Sequence, residues 1–535
     1  MKKKTYFYIV MALTLLWLIL PQTAQAADYY LDAANGNDSN PGTEAQPWKT
    51  IARAQNYKAG YVPDGYDPMV APGDTVWVKN GSYGIFRENT SDNPRESYYF
   101  ERNNWITYKA ATGHSPILTG INIRNYKPYD PNAGKAGSSY LIFDGFAVNG
   151  RVFIYYTNYV QVKNSTISGT SYNANDPVVE LGSGHHTTID SCIIRNGGEG
   201  IGGSGNYCTF SNNIIHHIGE DAFHFWGNYL TVENNDIYDV ARVYAAGDDP
   251  NNYSSYHPDG MHLEHKEASI TDVTIRCNKV HDCNDASVQA ISIYGGEGAN
   301  AWQHLKIENN LIYDMNCPDN LLIVVGVADC DIINNTVWSF VGGKARIHTH
   351  ASYGGCVVTN LYNNIFRTFL VDEDKSGFTA QVVNHGNNIF GGNPNGQGGT
   401  YKFYTNSTEL KSTTPVFVNA SGDDYHLADG SVAINFGDPA YAPATDILGN
   451  PRDALPDAGS YEYISQTLLF GDVSDEGEIS AYDAALTAQY AVGLISLTSG
   501  QIQKADVSGD GKVSVYDAAL ILQKVAGLIS KFPVE

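Results

Sequence analysis

Short runs of alternating apolar and polar residues recur through the middle of the chain. Residues 229–234 and 304–309 are two such runs, and each places an apolar side chain at every second position. A period of two predicts β-strands that bury one face and expose the other. Because strands this short bury little surface on their own, we expect them to stack on one another and share a continuous core.

A short polar phrase punctuates the same region: two polar residues, usually Asn-Asn, then any residue, then Ile or Val. Its polar pairs are Asn164-Ser165, Asp190-Ser191, Asn212-Asn213, Asn234-Asn235, Cys277-Asn278, Asn309-Asn310, Asn334-Asn335, Asn363-Asn364 and Asn387-Asn388. The steps between successive pairs are 26, 22, 22, 43, 32, 25, 29 and 24 residues. Most steps equal one coil of a three-stranded β-solenoid, and the longest is one coil plus an insertion of about twenty residues. Asparagine tolerates left-handed turns and can hydrogen-bond its counterpart in the next coil, so the pairs predict a structural ladder.

The segments on either side of the repeat have characteristic compositions. Residues 29–51 and 71–83 precede it, and residues 415–462 follow it. These segments resemble the N-terminal and closing segments of secreted right-handed parallel β-helix proteins of the pectate-lyase-like superfamily. The resemblance spans roughly residues 28–463 and implies a mainly β fold, a right-handed parallel β-helix. It implies no particular reaction, since such helices host lyases, hydrolases, epimerases and binding proteins.

Residues 1–26 have the composition of a secretory signal peptide. Three lysines follow the first methionine, an apolar run extends from Tyr6 to Leu20, and Ala24-Gln25-Ala26 ends the segment. This pattern predicts export with cleavage after Ala26, and a retained N-terminal anchor is the alternative. We therefore expect a secreted, extracellular or cell-surface protein.

Charge and cysteine content narrow the choice of partners. The net charge is −24, which argues against nucleic acids and anionic membrane surfaces as partners.

The seven cysteines lack a metal-type CxxC pair, and their odd number leaves at least one free thiol. Cys283 and Cys317 occupy similar places in neighbouring repeats and are a candidate disulfide, although the sequence leaves the connectivity open.

Two acidic phrases stand 34 residues apart near the C-terminus, and each has the spacing of a calcium-binding loop. In the first loop the expected ligands are Asp472, Ser474, Glu476, the main-chain carbonyl of Glu478, and Asp483. In the second loop they are Asp506, Ser508, Asp510, the main-chain carbonyl of Lys512, and Asp517. A glycine at position 6 permits the sharp turn that wraps a cation needing six to eight oxygen ligands. Because Glu476 is one methylene longer than the usual aspartate or asparagine, we expect the first loop to bind calcium more weakly.

This duplicated unit, in which an apolar helix follows each loop, resembles a type I dockerin. The resemblance implies two Ca²⁺ ions in a small all-α module and a cohesin-bearing scaffold as the partner. It also implies that the residues at loop positions 10 and 11 face the cohesin, and here these are Ala481, Tyr482, Val515 and Tyr516. The predicted divisions of the chain are a signal peptide (1–26), a β-helix (27–395), a closing segment with a linker (396–466) and the dockerin-like module (467–535).

Two stretches in adjacent coils are rich in side chains that can act in catalysis or bind a metal ion, and both contain Asp-x-x-His. They are residues 220–226 and 257–266. Equivalent residues of successive coils lie ~4.8 Å apart, so we expect His224 to stack on His262 and Asp221 on Asp259. Alternation also predicts that one outer face carries the following residues: His224, Trp226, His262, Glu264 and Lys266. The insertion at 241–256 beside them is a plausible groove wall.

Three functions are consistent with this cluster. In a polysaccharide hydrolase acting on a plant or algal polymer, Asp259 and Asp221 act as acid and base or nucleophile, and His224 and His262 position them. In a polyuronate lyase, a calcium ion in the groove or a histidine neutralises the substrate carboxylate, and Lys266 is the base. A non-catalytic scaffold or surface-binding protein is the third. The residues expected to bind the sugar chain are Trp226, Glu264, His257 and Tyr294.

Overall fold

The structure is a computed structural model, and it describes residues 26–55, 70–89, 102–125, 137–172, 176–241, 258–373, 377–392, 394, 403–464, 469–474 and 476–534. Within residues 26–462 almost all regular structure is β-strand. Residues 463–535 form a second compact unit, and its regular structure is helical. The predicted signal peptide, apart from Ala26, lies outside the described residues, as does His257. No helix in the described ranges is long and apolar enough to span a membrane.

Three long parallel sheets wind through the first unit. The first sheet consists of Asp28–Leu31, Thr75–Val78, Ile106–Ala110, Gly137–Asp144, Thr157–Lys163, the second half of Pro177–Asp190, Thr209–Ser211, Leu230–Glu233, Thr271–Arg276, Gln303–Glu308, Cys330–Ile333, Cys356–Tyr362 and Ala380–Gly386. The second consists of Ile85–Asn89, Gly120–Arg124, Val152–Tyr155, the first half of Pro177–Asp190, Glu199–Asn206, Phe223–Trp226, Asp259–Glu264, Gln289–Tyr294, Asn320–Val325, Lys344–His348 and Phe369–Asp372. The third consists of Ile117–Leu118, Ala147–Asn149, Thr166–Ser168, Ile193–Gly197, Ile214–Ile218, Asp236–Val240, Lys279–His281, Leu311–Tyr313, Thr336–Trp338, Ile365–Phe366, Ile389–Phe390 and Leu410–Lys411. The chain visits the second, first and third sheets in turn, so the predicted parallel β-helix is confirmed.

The interior of the β-helix is built by the period-two pattern of its strands. Leu230 and Val232 point inward, and they pair in register with Val273 and Ile275 of the next coil. All four side chains are almost completely buried. Stacking therefore turns one buried face per strand into a continuous apolar core along the helix.

The polar pairs form the predicted ladder, and their two members have different roles. The first residue of a pair adopts a left-handed conformation, as Asn309 (φ 55°) and Asn334 (φ 53°) do. The second is buried and bonded to the next coil: Asn310 donates through Nδ2 to Asn335 Oδ1 at 3.0 Å, and Asn335 donates to Asn364 in the same way. The phrase at Asp190-Ser191 is the exception, because Ser191 takes the left-handed position and the ladder partner is the next residue.

A closing segment follows the last coil. It begins with an antiparallel hairpin of Phe417–Asn419 and Asp424–Leu427 and continues without further strands to Glu462. The left-handed asparagines bind its main chain, since Asn309 donates to Thr445 O at 2.8 Å and Asn334 donates to Asp457 O at 2.9 Å. The Asn pairs thus bond to the next coil on one side and to this segment on the other.

Among the described residues of the first unit, the short helices are Ile51–Gln55 and the 3₁₀ turns Gly298–Asn300 and Ala420–Gly422. All seven cysteines are free thiols, and six of them are buried. The expected disulfide between Cys283 and Cys317 is therefore wrong: Cys283 Sγ instead donates to the carbonyl of His281, and Cys317 Sγ donates to the carbonyl of Asn320.

The C-terminal unit contains the helices Ala481–Ala491, Ser499–Ala505 and Val515–Val525. Ser480 and Ser514 begin the first and third of these with capping boxes, in which the side chain of the position-12 aspartate binds back to the cap residue. The core of the unit consists of Val473, Ala484, Ala505, Val507, Leu520, Ile521 and Phe532. Leu494 and Leu528 follow their helices and are exposed rather than part of this core.

Candidate functional site

The second sheet brings the two Asp-x-x-His phrases into neighbouring strands. In Phe223–Trp226 and Asp259–Glu264 the apolar residues Phe223, Phe225, Met261 and Leu263 point into the core, as their alternation predicts. The residues between them point outward. His224 pairs in register with His262, and their rings are parallel within 8° with centroids 4.9 Å apart.

Two carboxylates lie beneath the histidines at the corner that precedes each strand. Asp221 is 3% exposed and Asp259 is 0% exposed. Asp221 Oδ1 accepts the main-chain N–H of Asp259 at 2.8 Å, which joins the two phrases directly. Asp221 Oδ2 lies 3.2 Å from His262 Nδ1 and 3.6 Å from His224 Nδ1. One buried carboxylate oxygen therefore faces both imidazole rings.

Asp259 bonds to the following coil in the way that Asp221 bonds to Asp259. Its Oδ1 accepts the main-chain N–H of Gln289 at 3.2 Å, and its Oδ2 lies 3.7 Å from His262 Nδ1. Asp259 is the first residue of its strand and lies at the corner. Its complete burial places it behind the histidine rather than at the surface.

Glu199 extends the row of carboxylates on the other side, and sequence reasoning missed it. It is 7% exposed, and its Oε1 lies 3.5 Å from His224 Nδ1. Ile201 pairs with Phe223, so Glu199 stands two residues before one partner just as Asp221 stands two residues before the other. That common spacing is the signal that identifies Glu199 in the sequence.

Glu264 and two tyrosines lie on the outer side of His262. Glu264 Oε2 is 3.3 Å from His262 Nε2, and Glu264 Oε1 accepts the hydroxyl hydrogen of Tyr353 at 2.7 Å. Tyr294 packs edge-on against His262 with centroids 5.8 Å apart. Tyr353 comes from a loop 89 residues further along the chain than Glu264, and for that reason the local sequence does not reveal it.

The remaining expected site residues are only partly brought together. Trp226 is half-buried beside His224, with ring centroids 6.1 Å apart. Lys266 does not share the outer face as alternation predicts, because the strand ends at Glu264 and Lys266 lies in an exposed bend after it. Within the described ranges, no ion pair or hydrogen bond joins Lys266 to the histidines. His257 and most of the insertion before it lie outside the described residues.

Burial and mutual charge shift several pKa values in the cluster. Burial, reinforced by the charges of Asp221 and Glu199, raises the pKa of Glu220 to about 8. Burial alone lowers the pKa of His262, but the charge of Asp221 and the hydrogen bonds to Asp221 and Glu264 outweigh it and raise this pKa to about 11. The hydrogen bond to His262 lowers the pKa of Glu264 to about 2. The carboxylates of Asp221 and Glu264 therefore favour the protonated form of the His262 imidazole.

The two loops of the C-terminal unit have matching geometry. Asp472 accepts the main-chain N–H groups of Glu476 and Gly477, each at 3.0 Å. Gly477 adopts φ 84°, which permits the turn at position 6. Asp483 is fully buried, and its Oδ1 accepts the N–H of Ser474 at 2.7 Å.

The second loop repeats these contacts. Asp506 Oδ2 accepts the N–H of Gly511 (φ 80°) at 2.8 Å, and Asp517 Oδ1 accepts the N–H of Ser508 at 2.9 Å. Each loop thus folds around its first and twelfth residues and offers only oxygen donors, the set that Ca²⁺ prefers. The residues fit calcium, while the individual ligands, including the carbonyl groups of Glu478 and Lys512, stay a prediction.

The loops differ at position 5. Asp510 Oδ1 accepts the N–H of Lys512 at 2.9 Å, so this carboxylate turns back into its loop. In the described part of the first loop no equivalent bond involves the side chain of Glu476, although both side chains are exposed. This difference agrees with a weaker first site.

The residues at loop positions 10 and 11 lie on the surface. Tyr482 is 57% exposed, Val515 is 62% exposed and Tyr516 is 58% exposed, and Ala481 is exposed beside them. Each loop therefore presents a large exposed tyrosine at the start of its helix, and exposed side chains of this kind are frequent in interaction surfaces.

Comparisons with known families agree with this division of the chain. The family model of the right-handed β-helix region matches residues 150–337. The family model of the type I dockerin domain matches residues 470–526, and type I dockerin domains in general bind calcium. No curated protein matches the sequence significantly.

Several solved structures are similar in part. The pectate lyase Pel9A is 14% identical with a TM-score of 0.40, over 83% of this chain and 98% of that chain. The structure of XylC with xylose is 12% identical with a TM-score of 0.39, over 82% of this chain and 98% of that chain. PfbA, a surface adhesin of Streptococcus pneumoniae, is 10% identical with a TM-score of 0.35, over 63% of this chain and 92% of that chain. These values are too low to transfer an activity.

Proposed function

Because the chain is a parallel β-helix protein with a C-terminal type I dockerin domain, we propose that it is a secreted polysaccharide-degrading enzyme that hydrolyses glycosidic bonds on its second sheet. The observation that carries this proposal is the pair of stacked histidines, His224 and His262, set in a row of carboxyl groups. Hydrolysis of a glycosidic bond generally uses two carboxyl groups near the bond, one as acid and one as base or nucleophile.

Exposure suggests how the roles are divided. Asp221 and Asp259 lie beneath the rings, so we assign them to positioning His224 and His262 rather than to contact with the sugar. The carboxyl groups nearer the surface are those of Glu264 and Glu220, which are only partly buried. Of the two, we propose Glu264, fixed by Tyr353 and His262, as the group that faces the scissile bond, because Glu220 lies before the corner, six register positions from Glu264.

Aromatic side chains support a sugar-binding groove along the same face. Trp226 lies beside His224, and Tyr294 lies beside His262. Aromatic rings offer broad apolar surfaces with a polar edge, which suits the apolar faces and hydroxyl groups of sugar rings. We propose that these two residues hold the polysaccharide across the cluster.

The charge of the groove favours a neutral polysaccharide over a polyuronate. Among the described residues, Glu199, Asp221, Asp259 and Glu264 lie around His224 and His262, and this excess of acidic groups disfavours an anionic chain. The lyase alternative also needs Lys266 as its base, and Lys266 lies in the bend beyond the strand. Both observations speak for hydrolysis rather than elimination.

We further propose that the C-terminal unit binds two Ca²⁺ ions and docks on a cohesin-bearing scaffold. The surface proposed for this contact is formed by Ala481, Tyr482, Val515 and Tyr516. Docking of an exported enzyme on a scaffold keeps it near its insoluble substrate and near other enzymes.

A panel of neutral and acidic plant and algal polysaccharides tests the reaction type. Each is incubated with the full chain and scored for new reducing ends and for the ultraviolet absorbance of unsaturated uronates. We expect reducing ends without absorbance on a neutral polymer. Absorbance on polyuronates indicates a lyase, and binding without either product indicates the non-catalytic scaffold; both results contradict the proposal.

A further inference from the structure

We propose that Asp221, His224 and His262 bind a divalent first-row transition-metal ion such as Zn²⁺. The inference goes beyond the proposed hydrolysis, because the side chains bind the ion whether or not the groove cleaves a polysaccharide. It also differs from the calcium ion expected in the groove on sequence grounds.

The distances between the donor atoms fit such an ion. Asp221 Oδ2 lies 3.2 Å from His262 Nδ1 and 3.6 Å from His224 Nδ1, and one donor atom from each residue lies within 4.8 Å of the other two. Zinc bonds to imidazole nitrogen and carboxylate oxygen are roughly 2.0–2.2 Å long, which separates neighbouring ligand atoms by roughly 3–3.6 Å. The two distances to Asp221 match this separation, and an ion binds all three residues once the stacked rings rotate to bring their nitrogens closer together.

The surroundings supply further donors of the right kind. Glu199 Oε1 lies 3.5 Å from His224 Nδ1, and Asp259 Oδ2 lies 3.7 Å from His262 Nδ1. Either carboxylate completes a fourth position, while the side open to the groove remains for water or a sugar hydroxyl. With Asp221, His224 and His262 alone as protein ligands, the fourth position stays open, which is typical of catalytic rather than structural zinc sites.

The second nitrogen of His262 gives independent support. While Nδ1 faces Asp221, Nε2 lies 3.3 Å from Glu264 Oε2, and Tyr353 holds that carboxylate through a 2.7 Å hydrogen bond. Metal-bound histidines commonly donate their other ring N–H to a carboxylate that is itself hydrogen-bonded, and this fixes the ring orientation. The arrangement around His262 reproduces that pattern.

The donor set also discriminates among cations. Ca²⁺ and Mg²⁺ prefer oxygen ligands, whereas imidazole nitrogen suits zinc, copper, iron and nickel. Two imidazole nitrogens therefore select against the ion that the C-terminal loops bind. The same chain can then hold Ca²⁺ in its loops and a transition ion on its β-helix.

The binding test uses the full chain, stripped of metal with a chelator and then saturated with Ca²⁺. Zn²⁺ is titrated into this protein by calorimetry, and retained metal is counted by mass spectrometry after desalting. We expect about one retained zinc per chain and a loss of affinity of ~100-fold or more in His224→Gln and His262→Gln. Substitution of Glu264 by Gln should weaken binding by roughly 10–100-fold, because it removes the partner of Nε2.

His281→Gln is the matched control. His281 also lies between carboxylates, with Nε2 2.7 Å from Asp236 and Nδ1 2.6 Å from Asp282, but on the third sheet. It should bind zinc as the native chain does. Retention of less than a tenth of an equivalent by the native protein, or equal affinity in His262→Gln and His281→Gln, overturns the proposal.

X-ray absorption of the zinc-loaded native protein keeps the test decisive if a variant does not fold. Two imidazole rings bound to the ion produce characteristic multiple scattering, which we expect. A spectrum with oxygen ligands alone overturns the proposal. Neither result depends on catalytic activity, so failure of the metal site and failure of the proposed hydrolysis are distinguishable.

Discussion

At the scale of single residues, the polar pairs show how far a local pattern predicts a three-dimensional role. Their spacing and their asparagine content predict both left-handed turns and bonds between coils. The pattern does not reveal which member does which, because both are asparagines in most coils. It also misplaces the pair near Ser191 by one residue, since serine occupies the left-handed position there.

The buried member of a pair is expected to matter most for stability. Asn335 accepts the main-chain N–H of Asn310 at 3.0 Å and donates to Ile307 O at 2.8 Å. Asn335→Ala leaves these buried groups unsatisfied and should lower the free energy of unfolding by about 1–3 kcal/mol. Denaturant unfolding measures the effect. Asn384→Ala, at an exposed asparagine of the first sheet, is the control and should have little effect; equal losses contradict the ladder role.

The candidate site was predicted less completely than the ladder. The stacking of His224 on His262 follows from strand register alone, and the structure confirms it. The burial of Asp259 and the contact of Tyr353 with Glu264 depend on corners and on a distant loop. The alternation of inward and outward side chains applies only within a strand. The strand ends at Glu264, so the prediction that Lys266 shares the outer face is wrong.

At the scale of elements, one deeply buried side chain adds to the asparagine bonds that hold the closing segment to the β-helix. Arg452 forms a 2.8 Å ion pair with Glu462, and its other nitrogen donates to Asn309 Oδ1 at 3.0 Å and to Gly459 O at 2.8 Å. The sequence predicted a closing segment here but not its attachment to the left-handed asparagines, because the two are more than 100 residues apart.

Loss of this arginine should release the closing segment. Arg452→Met leaves the Glu462 carboxylate buried without its cation, and breaking a buried ion pair costs about 3–5 kcal/mol. Limited proteolysis should then cut within residues 413–462 at a protease concentration that leaves the native chain intact. Lys344→Met removes an exposed ion pair with Asp319 and should cause no new cleavage. A cleavage pattern in Arg452→Met like that of the native chain contradicts this attachment.

The two calcium loops should differ in affinity because of one methylene group. Asp510 accepts the N–H of Lys512 in its own loop, whereas no such bond involves the longer Glu476 in the described part of the first loop. Calorimetry of the full chain with Ca²⁺ should resolve a tighter and a weaker site, and Glu476→Asp should bring the weaker one towards the tighter. Asp517→Asn, which removes a carboxylate of the second loop, identifies which is which. Two equal tight sites in the native chain contradict the expectation.

At the scale of the whole molecule, the chain folds into two compact units, and each carries one of the candidate sites. The boundary falls after Glu462, close to the predicted end of the linker, because composition changes abruptly where aspartate, alanine and leucine become frequent. No single stretch of the sequence contains the candidate site of the first unit. Its residues come from separate coils and loops: Glu199, Asp221, Asp259 and Tyr353. Only the stacking of the solenoid assembles it.

Docking through the second unit should tolerate one substitution but not two. Tyr482 and Tyr516 occupy equivalent positions in the duplicated loops and are similarly exposed. If either half of the unit docks, Tyr482→Ala and Tyr516→Ala should each retain affinity for a matching cohesin, and the double variant should lose it by 100-fold or more. Surface plasmon resonance measures these affinities. Unchanged binding by the double variant contradicts the assigned surface.

The most direct test of the account compares hydrolysis by Glu264→Gln with hydrolysis by Glu233→Gln on the neutral polysaccharide that the native chain degrades. Glu264 faces the groove on the second sheet, whereas Glu233 pairs with Arg276 on the first. We predict that Glu264→Gln releases reducing ends at least ~100-fold more slowly, while Glu233→Gln retains the native rate. Equal rates for the two variants, or release of unsaturated products by the native chain, would contradict hydrolysis at the His224–His262 cluster.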